Sequence, residues 1–459
     1  MIEGVDLVLV VNASCNSSEC SLECIEACQG VQGDDAPLTM SSTTGRPNIR
    51  QGGCTACLLC VRACPFNAIE VEGSTASAAR ATKHRNHITP KPGAKQPYEV
   101  TADFAKFSEA DMIFARVWND PEFKYHKKSE WDGAKAAMES GLPGYNRAYY
   151  ELARAGWELY DHRTSVMNPL ADLEGDDSSS ANEHTFGSDS LTKMMKKAAH
   201  FFGASLVGIA SLDHRWLYSA SRRGEEYSIP DSIDHAVVMA IAMDYDAIAT
   251  SPTFISSAAT ALGYSTMAFV EIEMAAFIRK LGYRAIPCGN DIALSVPLAI
   301  DAGLGQYGRH GLLITKEFGS RVRIAKVLTD MPLLPDSPDL NFCNSVIRFC
   351  EACEKCAEHC PSQSIPYGRN RTWHGGSRSN NPGVKKWYVD VESCYGFWVQ
   401  NGADCSNCIR SCPYNKRDNP TLRRIILWLT GHVPGLNPLI VKLDSLLGYG
   451  NQRLPKDLL

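Results

Sequence analysis

The chain has 459 residues, of which 44% are hydrophobic and 21% charged, and its net charge is -5 at pH 7. This composition is typical of a globular protein with roughly two to four domains, and it gives no electrostatic reason to expect nucleic acid or an anionic membrane surface as partner. The 18 cysteines stand in short clusters, which favours metal ligation in a reducing compartment over a secreted disulfide scaffold. We therefore expect a cytoplasmic, oxygen-sensitive protein.

Residues 1–75 are predicted to form an N-terminal ferredoxin-like module. An apolar strand, expected at residues 6–11, follows an acidic start that lacks the features of an export signal. The last cysteines of this region have the spacing C-x2-C-x2-C-x3-C-P, in which three close thiolates hold one 4Fe-4S cluster and the fourth usually holds another. The same crossing rule predicts the ligands of this module to be Cys15, Cys20, Cys24 and Cys64 for one cluster, and Cys54, Cys57, Cys60 and Cys28 for the other.

The unequal spacing of these two cysteine runs resembles the iron-sulfur domain of the ribosome-recycling ABC ATPase. That resemblance is confined to this module, and no Walker A sequence G-x4-G-K-[ST] occurs in the chain, so it implies no ribosomal function. Residues 76–100 are polar and rich in Ala, Thr, Lys and Pro, and we predict that they form a linker.

Residues 101–340 alternate between helical and strand patterns, which is typical of an α/β or α+β cofactor-binding domain. A helix is expected at residues 145–160 and an exposed polar loop at 172–190. Apolar periodicity then predicts helices at 190–202 and 254–282, and strands at 204–209, 235–243 and 320–328. No run reaches the roughly eighteen consecutive apolar residues that span a bilayer, so we expect no transmembrane segment.

Residues 341–420 are predicted to form a C-terminal ferredoxin-like module. Its first run ends in Cys360-Pro361 and its second in Cys412-Pro413, and the crossing rule predicts two more 4Fe-4S clusters, which makes four in the chain. The predicted ligands are Cys350, Cys353, Cys356 and Cys412 for one cluster, and Cys394, Cys405, Cys408 and Cys360 for the other. Zinc or disulfide sites are the alternative, but they do not require two fourth cysteines followed by proline. Residues 421–459 are expected to be an amphipathic packing segment.

Gly303, Gly305 and Gly308 match the dinucleotide fingerprint G-x-G-x-x-G, but their surroundings do not fit it. The fingerprint should follow a strand and open a helix, whereas residues 297–302 lead in and the strand-like residues 312–315 follow. We therefore reject nicotinamide binding. Instead we expect these glycines to let the backbone approach another flat or bulky cofactor closely.

Six separated segments are distinctive: residues 263–268, 277–283, 285–291, 297–305, 315–323 and 446–450. In this order they resemble the core of the corrinoid-dependent reductive dehalogenases. The resemblance covers about residues 100–450 and includes the widened gap between Cys394 and Cys405. Respiratory members of that family usually begin with a twin-arginine export signal, and here a second ferredoxin-like module stands in that place.

The resemblance implies a nitroreductase-like α/β domain that holds a base-off corrinoid (cobalamin) and receives electrons from the 4Fe-4S clusters. Residue by residue, it implies Tyr264 as proton donor, with Asn290 and Arg323 completing the polar site. Replacing a carbon-halogen bond by a carbon-hydrogen bond consumes two electrons and one proton, so a low-potential metal must meet an acid in a pocket closed to water. Trp398, inside the widened gap, is expected to line the pocket beside the cofactor.

Each of these residues also has a purely structural interpretation. A tyrosine in a helical pattern is normally packed, an arginine on an alternating strand is normally solvated, and an asparagine after glycine is an ordinary turn residue. Cys288 and Cys343 fall outside every cluster motif and are expected to be buried thiols. Trp373 and His374 lie either near the cofactor or in a surface loop.

The leading hypothesis is therefore a reductive dehalogenase that acts on a small organohalide, with a low-potential electron donor protein and no nucleic acid as partner. Epoxyqueuosine reductase shares the corrinoid domain and ferredoxin tail but acts on a tRNA base, and the tyrosine, asparagine and arginine set disfavours it. A multi-cluster electron-transfer protein is the other alternative. The large domain between the two cysteine-rich modules exceeds what any cluster needs and argues against it.

Overall fold

The chain divides into two compact units, Met1–His87 and Ile88–Leu459. The computed structural model describes residues 7–11, 15, 22–32, 36, 38–50, 69–73, 96–167, 170, 186–417 and 420–453. The division between the units falls in the predicted linker, 76–100, most of which lies outside the described residues. The regions predicted after residue 100 all belong to the second unit.

The described elements of the first unit are short and form two antiparallel strand pairs, β1 with β4 and β2 with β3. Their bounds are β1 Leu7–Val11, α1 Glu23–Gln32, β2 Leu38–Met40, β3 Pro47–Ile49 and β4 Ile69–Gly73. β1 confirms the strand predicted at residues 6–11. Cys24 and Cys28 are buried on α1, and Cys15 is partly exposed. The other predicted ligands of this module lie outside the described residues: Cys20, Cys54, Cys57, Cys60 and Cys64.

The second unit contains longer helices and a larger sheet. Its helices are α2 Ile113–Asn119, α3 Ala134–Glu139, α4 Arg147–Gly156, α5 Glu158–Val166, α6 Ser188–Phe201, α7 Tyr245–Ala249, α8 Phe254–Lys280, α9 Ser295–Asp301, α10 Leu340–Ala352, α11 Lys355–Glu358, α12 Val391–Asn401, α13 Asn407–Arg410, α14 Pro420–His432 and α15 Asn437–Leu446. Its strands are β5 Leu206–Ser211, β6 His235–Ala242, β7 Ala285–Cys288, β8 Gly305–Tyr307, β9 Leu313–Thr315 and β10 Val322–Thr329.

The core of the second unit is a four-stranded antiparallel sheet in the order β5-β6-β10-β7. Side chains of a strand alternate between the two faces of a sheet, so Ala236 and Val238 of β6 pack on one face while Val237 and Met239 pack on the other. α9 covers the first face, and α6 and α8 cover the second. Because both faces are buried, the central strand β6 is almost continuously apolar, whereas β10 also carries Arg323 and Lys326.

Most of the predicted elements of this unit are confirmed. The helices predicted at 190–202 and 254–282 correspond to α6 and α8, and the strands predicted at 204–209, 235–243 and 320–328 correspond to β5, β6 and β10. The single helix predicted at 145–160 is instead two helices, α4 and α5, which are separated at Trp157. This break matters because it directs Trp157 toward α8.

α8 is the element that bears on the expectation of no transmembrane segment. Within the described residues it is the one helix that is long and apolar enough, by length and composition alone, to cross a membrane. However, 56% of its apolar window is buried inside the protein, and it packs against the central sheet. A buried core helix passes the same test, so this feature is only weak evidence for a membrane span.

The cysteine-rich region packs between the hairpin β8–β9 and the last two helices. Ile314 of β9 lies in one apolar cluster with Phe349 of α10 and with Ile440 of α15. Asp444 of α15 accepts a hydrogen bond of 2.6 Å from Lys355 of α11. Lys416 also pairs with Asp444, and all three charged groups are buried. These two ion pairs, which share Asp444, connect α15 to the cysteine-rich region.

Candidate active site

Tyr264, Asn290 and Arg323 come from different elements and meet at one point. Tyr264 lies in the middle of α8, Asn290 in the turn after β7, and Arg323 on β10. The Asn290 Nδ2 donates a hydrogen bond of 2.9 Å to the Tyr264 hydroxyl oxygen. The guanidinium carbon of Arg323 lies 4.7 Å from the centre of the Tyr264 ring. The structure therefore brings together the three residues that the family resemblance implied.

Aromatic side chains from the junction of α4 and α5 enclose Tyr264. Trp157 stacks on the Tyr264 ring with 4.8 Å between ring centres, and Tyr160 lies at 5.0 Å. α4 approaches α8 this closely because Gly156 has no side chain, since a Cβ there would lie 2.8 Å from the Cβ of Ala261. This packing keeps bulk water away from one side of the tyrosine.

A buried ion network holds the turn that carries Asn290. Arg163 of α5 donates to Glu271 of α8 at 2.8 Å and also pairs with Asp291. Burial opposes the charge of Arg163, but the neighbouring anions, Asp291 first, outweigh it and raise its pKa. Lys326 of β10 donates to the backbone carbonyl of the residue before Asn290. Helix, strand and turn are thus tied together directly behind the polar site.

Glu271 gives this network a pH dependence. Burial raises the pKa of Glu271 to about 8, against the opposing effect of Arg163. The folded protein therefore holds this proton more tightly than the unfolded chain. The resulting stabilisation is complete below the ordinary carboxyl pKa and is lost as the pH rises through about 8.

We expect the free energy of unfolding of the wild-type protein, relative to Glu271→Gln, to fall by roughly 1.4 kcal/mol for each pH unit between about pH 5 and 8. Urea unfolding of both proteins at several pH values measures this difference. Glu273→Gln, on the same helix and partly exposed, is the control and should keep the wild-type pH dependence. If Glu271→Gln had the same pH dependence as the wild type, Glu271 would not be the titrating group.

A cavity of about 400 Å³ lies against Tyr264 and Arg323. Its walls include the aromatic side chains of Phe114, Trp157 and Trp398. Four cysteines, one from the first C-terminal run and three from the second, line the same cavity: Cys360, Cys394, Cys405 and Cys408. The proton donor implied by the resemblance and one predicted set of cluster ligands therefore face one space.

Several buried polar atoms that line this cavity have no hydrogen-bond partner within the described part of the chain. They are Trp157 Nε1, His310 Nε2, Arg323 Nε, Trp398 Nε1, Asp404 Oδ1 and Asn407 Oδ1. Because nearly all buried polar groups in proteins are paired, a cavity with this many unpaired atoms is suited to a bulky ligand that carries polar groups of its own.

The other predicted set of ligands in this region, Cys350, Cys353, Cys356 and Cys412, lines a separate small cavity. Burial, together with the neighbouring Cys412, raises the pKa of Cys350 to about 12. In the large cavity, burial raises the pKa of Cys394 to about 12, with further contributions from Cys405 and Cys360. The fourth cysteine of each run therefore lies with three cysteines of the other run, as the crossing rule requires.

The cysteine side chains of each set line a cavity and do not converge on a single point. Among the described residues, no group of three or more His, Cys, Asp or Glu side chains is close enough to hold a single metal ion. Thiols buried together need nearby positive charge to persist as thiolates at neutral pH, and a bound metal group supplies it. The arrangement fits a multi-iron group, and the ligation itself stays a prediction.

The three glycines of the G-x-G-x-x-G motif lie in and before the hairpin β8–β9. α9 leads into the motif and a strand follows, which confirms that the motif lacks the context for nicotinamide binding. Gly303 has a φ of +75°, and a Cβ there would lie 2.8 Å from the Ser337 carbonyl oxygen. A Cβ on Gly305 would meet the Ile314 backbone. These close approaches are to the chain's own atoms. Gly303, Gly305 and Gly308 line neither of the two cysteine-lined cavities. The structure therefore gives no support for contact between these glycines and a cofactor.

The tip of this hairpin enters the cysteine-rich region. Arg309 is 1% exposed and donates hydrogen bonds to the backbone carbonyls of Cys350 at 2.6 Å and Cys353 at 3.0 Å. His310 lines both cysteine-lined cavities. Burial lowers the pKa of His310 to about 4, so its ring is neutral at neutral pH. The hairpin thereby connects the sheet domain to both thiol sets.

Asp404 is a site residue that sequence reasoning missed. It is the last residue of the widened gap, directly before Cys405, and it is buried beside Thr260 and Arg323. Arg323 Nη2 donates a hydrogen bond of 3.1 Å to Thr260 Oγ1. Burial raises the pKa of Asp404, which Arg323 partly offsets. The ten-residue gap therefore reaches the polar site, and only the unusual length of the gap signalled this in the sequence.

The other residues singled out from the sequence are Trp398, Trp373, His374, Cys288 and Cys343. Trp398 lines the large cavity, and its contact with a cofactor stays a prediction. His374 is exposed and Trp373 is partly exposed, and neither lines the large cavity. Cys288 and Cys343 are buried and belong to neither thiol set, as expected.

Comparison with protein families finds two iron-sulfur matches. A 4Fe-4S dicluster domain matches residues 349–416, and a 4Fe-4S binding domain matches residues 47–70. The first match covers both C-terminal cysteine runs. The second covers the second cysteine run of the N-terminal unit.

Curated relatives confirm the resemblance to reductive dehalogenases. A tetrachloroethene reductive dehalogenase of Desulfitobacterium hafniense is 39% identical over 311 residues, which cover 59% of this chain and 56% of the relative. One of Sulfurospirillum multivorans is 37% identical over 293 residues, covering 57% and 58% respectively. The chain thus spans little more than half the length of the curated relatives it matches. An epoxyqueuosine reductase of Listeria monocytogenes is 30% identical over only 26% of this chain.

Solved structures show a similar mixed helix and sheet fold. A reductive dehalogenase described in connection with B12-dependent dehalogenation superposes with a TM-score of 0.64 at 22% identity, covering 78% of this chain and 49% of that chain. A catabolic reductive dehalogenase in complex with 3-bromo-4-hydroxybenzoic acid gives a TM-score of 0.62 at 23% identity, with the same coverage. At these identities the likeness shows the fold alone.

Proposed function

We propose that this chain is a reductive dehalogenase that removes halide from a small organohalide by a two-electron, one-proton reduction. The observation that carries the proposal is the single cavity faced by both Tyr264 and the four thiols of Cys360, Cys394, Cys405 and Cys408. This shared cavity supports an electron source and a proton source that act on one reaction space. The activity named for the curated relatives supports the same function.

The proposal includes a base-off corrinoid, a nitroreductase-like core and four 4Fe-4S clusters. A corrinoid is a large, flat group with amide arms, and the large cavity offers it aromatic walls together with unpaired polar atoms on Arg323, Trp398 and Asn407. The residues present therefore fit the group. When bound, its low-valent cobalt supplies the electrons that cleave a carbon-halogen bond.

The chain's own residues control the proton. Because the Tyr264 oxygen accepts a hydrogen bond from Asn290, the hydroxyl hydrogen of Tyr264 points away from Asn290 and is available to a substrate. Arg323 over the ring face stabilises the negative charge that develops on the tyrosine as the proton leaves. Trp157 stacks on the ring and fixes its plane. These contacts support the proposal that Tyr264 is the acid, with Asn290 and Arg323 as its supports.

A second cavity, similar in volume to the large cavity at about 440 Å³, offers room for the substrate. It is lined by Tyr264 and Asn290 and by aromatic side chains that include Trp131 and Trp157, together with five charged side chains that include Arg222. The aromatic walls suit the apolar body of a small organohalide, which gains binding energy from burial of its apolar surface, and the charged groups suit a polar substituent on it.

Anaerobic reconstitution with iron, sulfide and a corrinoid tests the proposal. Metal analysis should give about sixteen irons and one cobalt per chain, and the loaded protein should release chloride from tetrachloroethene when a reduced low-potential dye supplies electrons. Iron without cobalt would instead favour a multi-cluster electron-transfer protein. Iron and cobalt without release of halide from any tested organohalide would reject the dehalogenase function.

No described feature favours epoxyqueuosine reductase over this proposal. Two relatives with that name match only 26% and 19% of the chain. The cytoplasmic location and a low-potential electron donor protein remain parts of the proposal. Their support is the clustered cysteines and the chemistry of the reaction.

A further inference from the structure

The tip of the hairpin β8–β9 places a histidine between the two predicted C-terminal cluster sites. His310 is 5% exposed and lines both the cavity of the Cys360 set and the cavity of the Cys350 set. Its Nδ1 accepts a hydrogen bond of 3.2 Å from the backbone N–H of Leu312. In a neutral imidazole the other nitrogen, Nε2, then carries the hydrogen.

This Nε2–H is buried and has no partner within the described residues. An unpaired buried donor is costly, so a group that occupies one of the two neighbouring cavities must accept its hydrogen bond. Each of the two cavities is lined by one predicted set of 4Fe-4S ligands, and the sulfides and cysteine sulfurs of such clusters accept hydrogen bonds from N–H groups.

Gly308 makes room for the imidazole. A Cβ at Gly308 would lie 2.7 Å from His310 Cε1 and 3.1 Å from His310 Nε2, which is too close for a side chain to fit without displacing the ring. Arg309, directly before His310 in the chain, is fixed by its hydrogen bonds to the carbonyls of Cys350 and Cys353 and thereby holds the backbone next to His310. The last glycine of the motif that resembles a nucleotide fingerprint thus positions a side chain between the cluster sites.

We propose that His310 donates a hydrogen bond from Nε2–H to a sulfur of a C-terminal 4Fe-4S cluster and thereby raises the reduction potential of that cluster. Reduction adds negative charge to the cluster, and a hydrogen-bond donor stabilises the more negative state. The proposal rests on the clusters included in the proposed function and is independent of the dehalogenation step. His310 acts here as a positioning residue for electron transfer.

The test uses the full chain reconstituted anaerobically with iron and sulfide, without corrinoid. Potentials are measured by EPR-monitored redox titration of the wild type, His310→Leu and His310→Gln. We expect the potential of one C-terminal cluster to fall in His310→Leu by about 59 mV or more, which is a tenfold change in a one-electron equilibrium. His310→Gln keeps an N–H donor and should show a smaller shift. His374→Leu, at an exposed histidine, is the control and should leave all potentials unchanged.

Unchanged potentials in His310→Leu, with full iron content, would overturn the proposal. If that variant does not load iron, the wild type labelled with ¹⁵N only at histidine provides the second measurement. Pulsed EPR of its reduced clusters should then detect a coupled histidine nitrogen, and its absence would also overturn the proposal. A wild type that binds no iron would reject the proposed function as well, whereas the results above concern His310 alone.

Discussion

Replacement of Tyr264 by phenylalanine is expected to lower the rate of halide release by about 10²–10⁴-fold, the range typical for loss of a general acid. The phenylalanine ring would keep the stacking on Trp157 and the position under Arg323, and only the hydroxyl would be lost. Iron and cobalt content should therefore equal those of the wild type. Halide release and metal analysis of the same reconstituted sample check both expectations.

Tyr283→Phe is the matched control for this experiment. Tyr283 is a half-buried tyrosine that packs against the same core cluster as Tyr264 but lines neither of the cavities beside Tyr264. It should retain wild-type activity. Wild-type turnover in Tyr264→Phe would show that another group supplies the proton, and loss of metal together with activity would show a structural role instead.

Removal of a single crossing ligand, Cys360→Ala, is expected to abolish turnover and to lower the iron content by about four per chain. Cys360 belongs to the first cysteine run, yet it lines the large cavity with Cys394, Cys405 and Cys408. The four thiols line the same space as Tyr264, and in the proposed function the cluster predicted there is the last relay before the reaction. Its loss should interrupt electron delivery completely.

The crossing arrangement has its own spectroscopic signature. Cys360→Ala and Cys405→Ala should lose the same cluster signal in EPR, whereas Cys412→Ala should lose the signal that Cys350→Ala loses. Cys343→Ala is the control, because Cys343 is a buried thiol outside both sets and should leave the iron content unchanged. If Cys360→Ala lost the same signal as Cys350→Ala, each cluster would be held by consecutive cysteines and the crossing assignment would be wrong.

The sheet and the long helices could be predicted from the sequence because each has a simple apolar pattern. β6 is a nearly continuous apolar strand, β10 has an alternating pattern that includes Arg323 and Lys326, and α8 is a long apolar helix. The break at Trp157 could not be predicted in this way. The aromatic and apolar residues on either side of Trp157 keep helical spacing through the junction of α4 and α5. Packing of Trp157 against Tyr264 decides where the chain turns.

The grouping of the cysteines was predictable because ligand spacing in ferredoxin motifs is local and specific. The meeting of Tyr264, Asn290 and Arg323 was not, because no periodicity connects a helix, a turn and a strand so far apart in the chain. The prediction that these three residues meet came from the resemblance to a family. The hydrogen bond between Asn290 and Tyr264 gives that prediction a physical basis.

For the glycine motif, the sequence pattern predicted one role and the structure shows another. Its letters predicted a close approach to a ligand, but Gly303 and Gly305 make room for neighbouring backbone and Gly308 makes room for His310. Asp404 and Arg163 were missed for a related reason. Their roles depend on tertiary contacts with Arg323 and Asp291, and isolated charged residues in a sequence are normally solvated.

The most direct measurement of the central claim is an anaerobic count of the electrons consumed and the halide released by the fully loaded protein with tetrachloroethene. We expect two electrons for each chloride, and no chloride from protein that carries iron but no corrinoid. Chloride release without corrinoid, or none from protein with its full iron and cobalt content, would contradict the claim that this cavity reduces an organohalide.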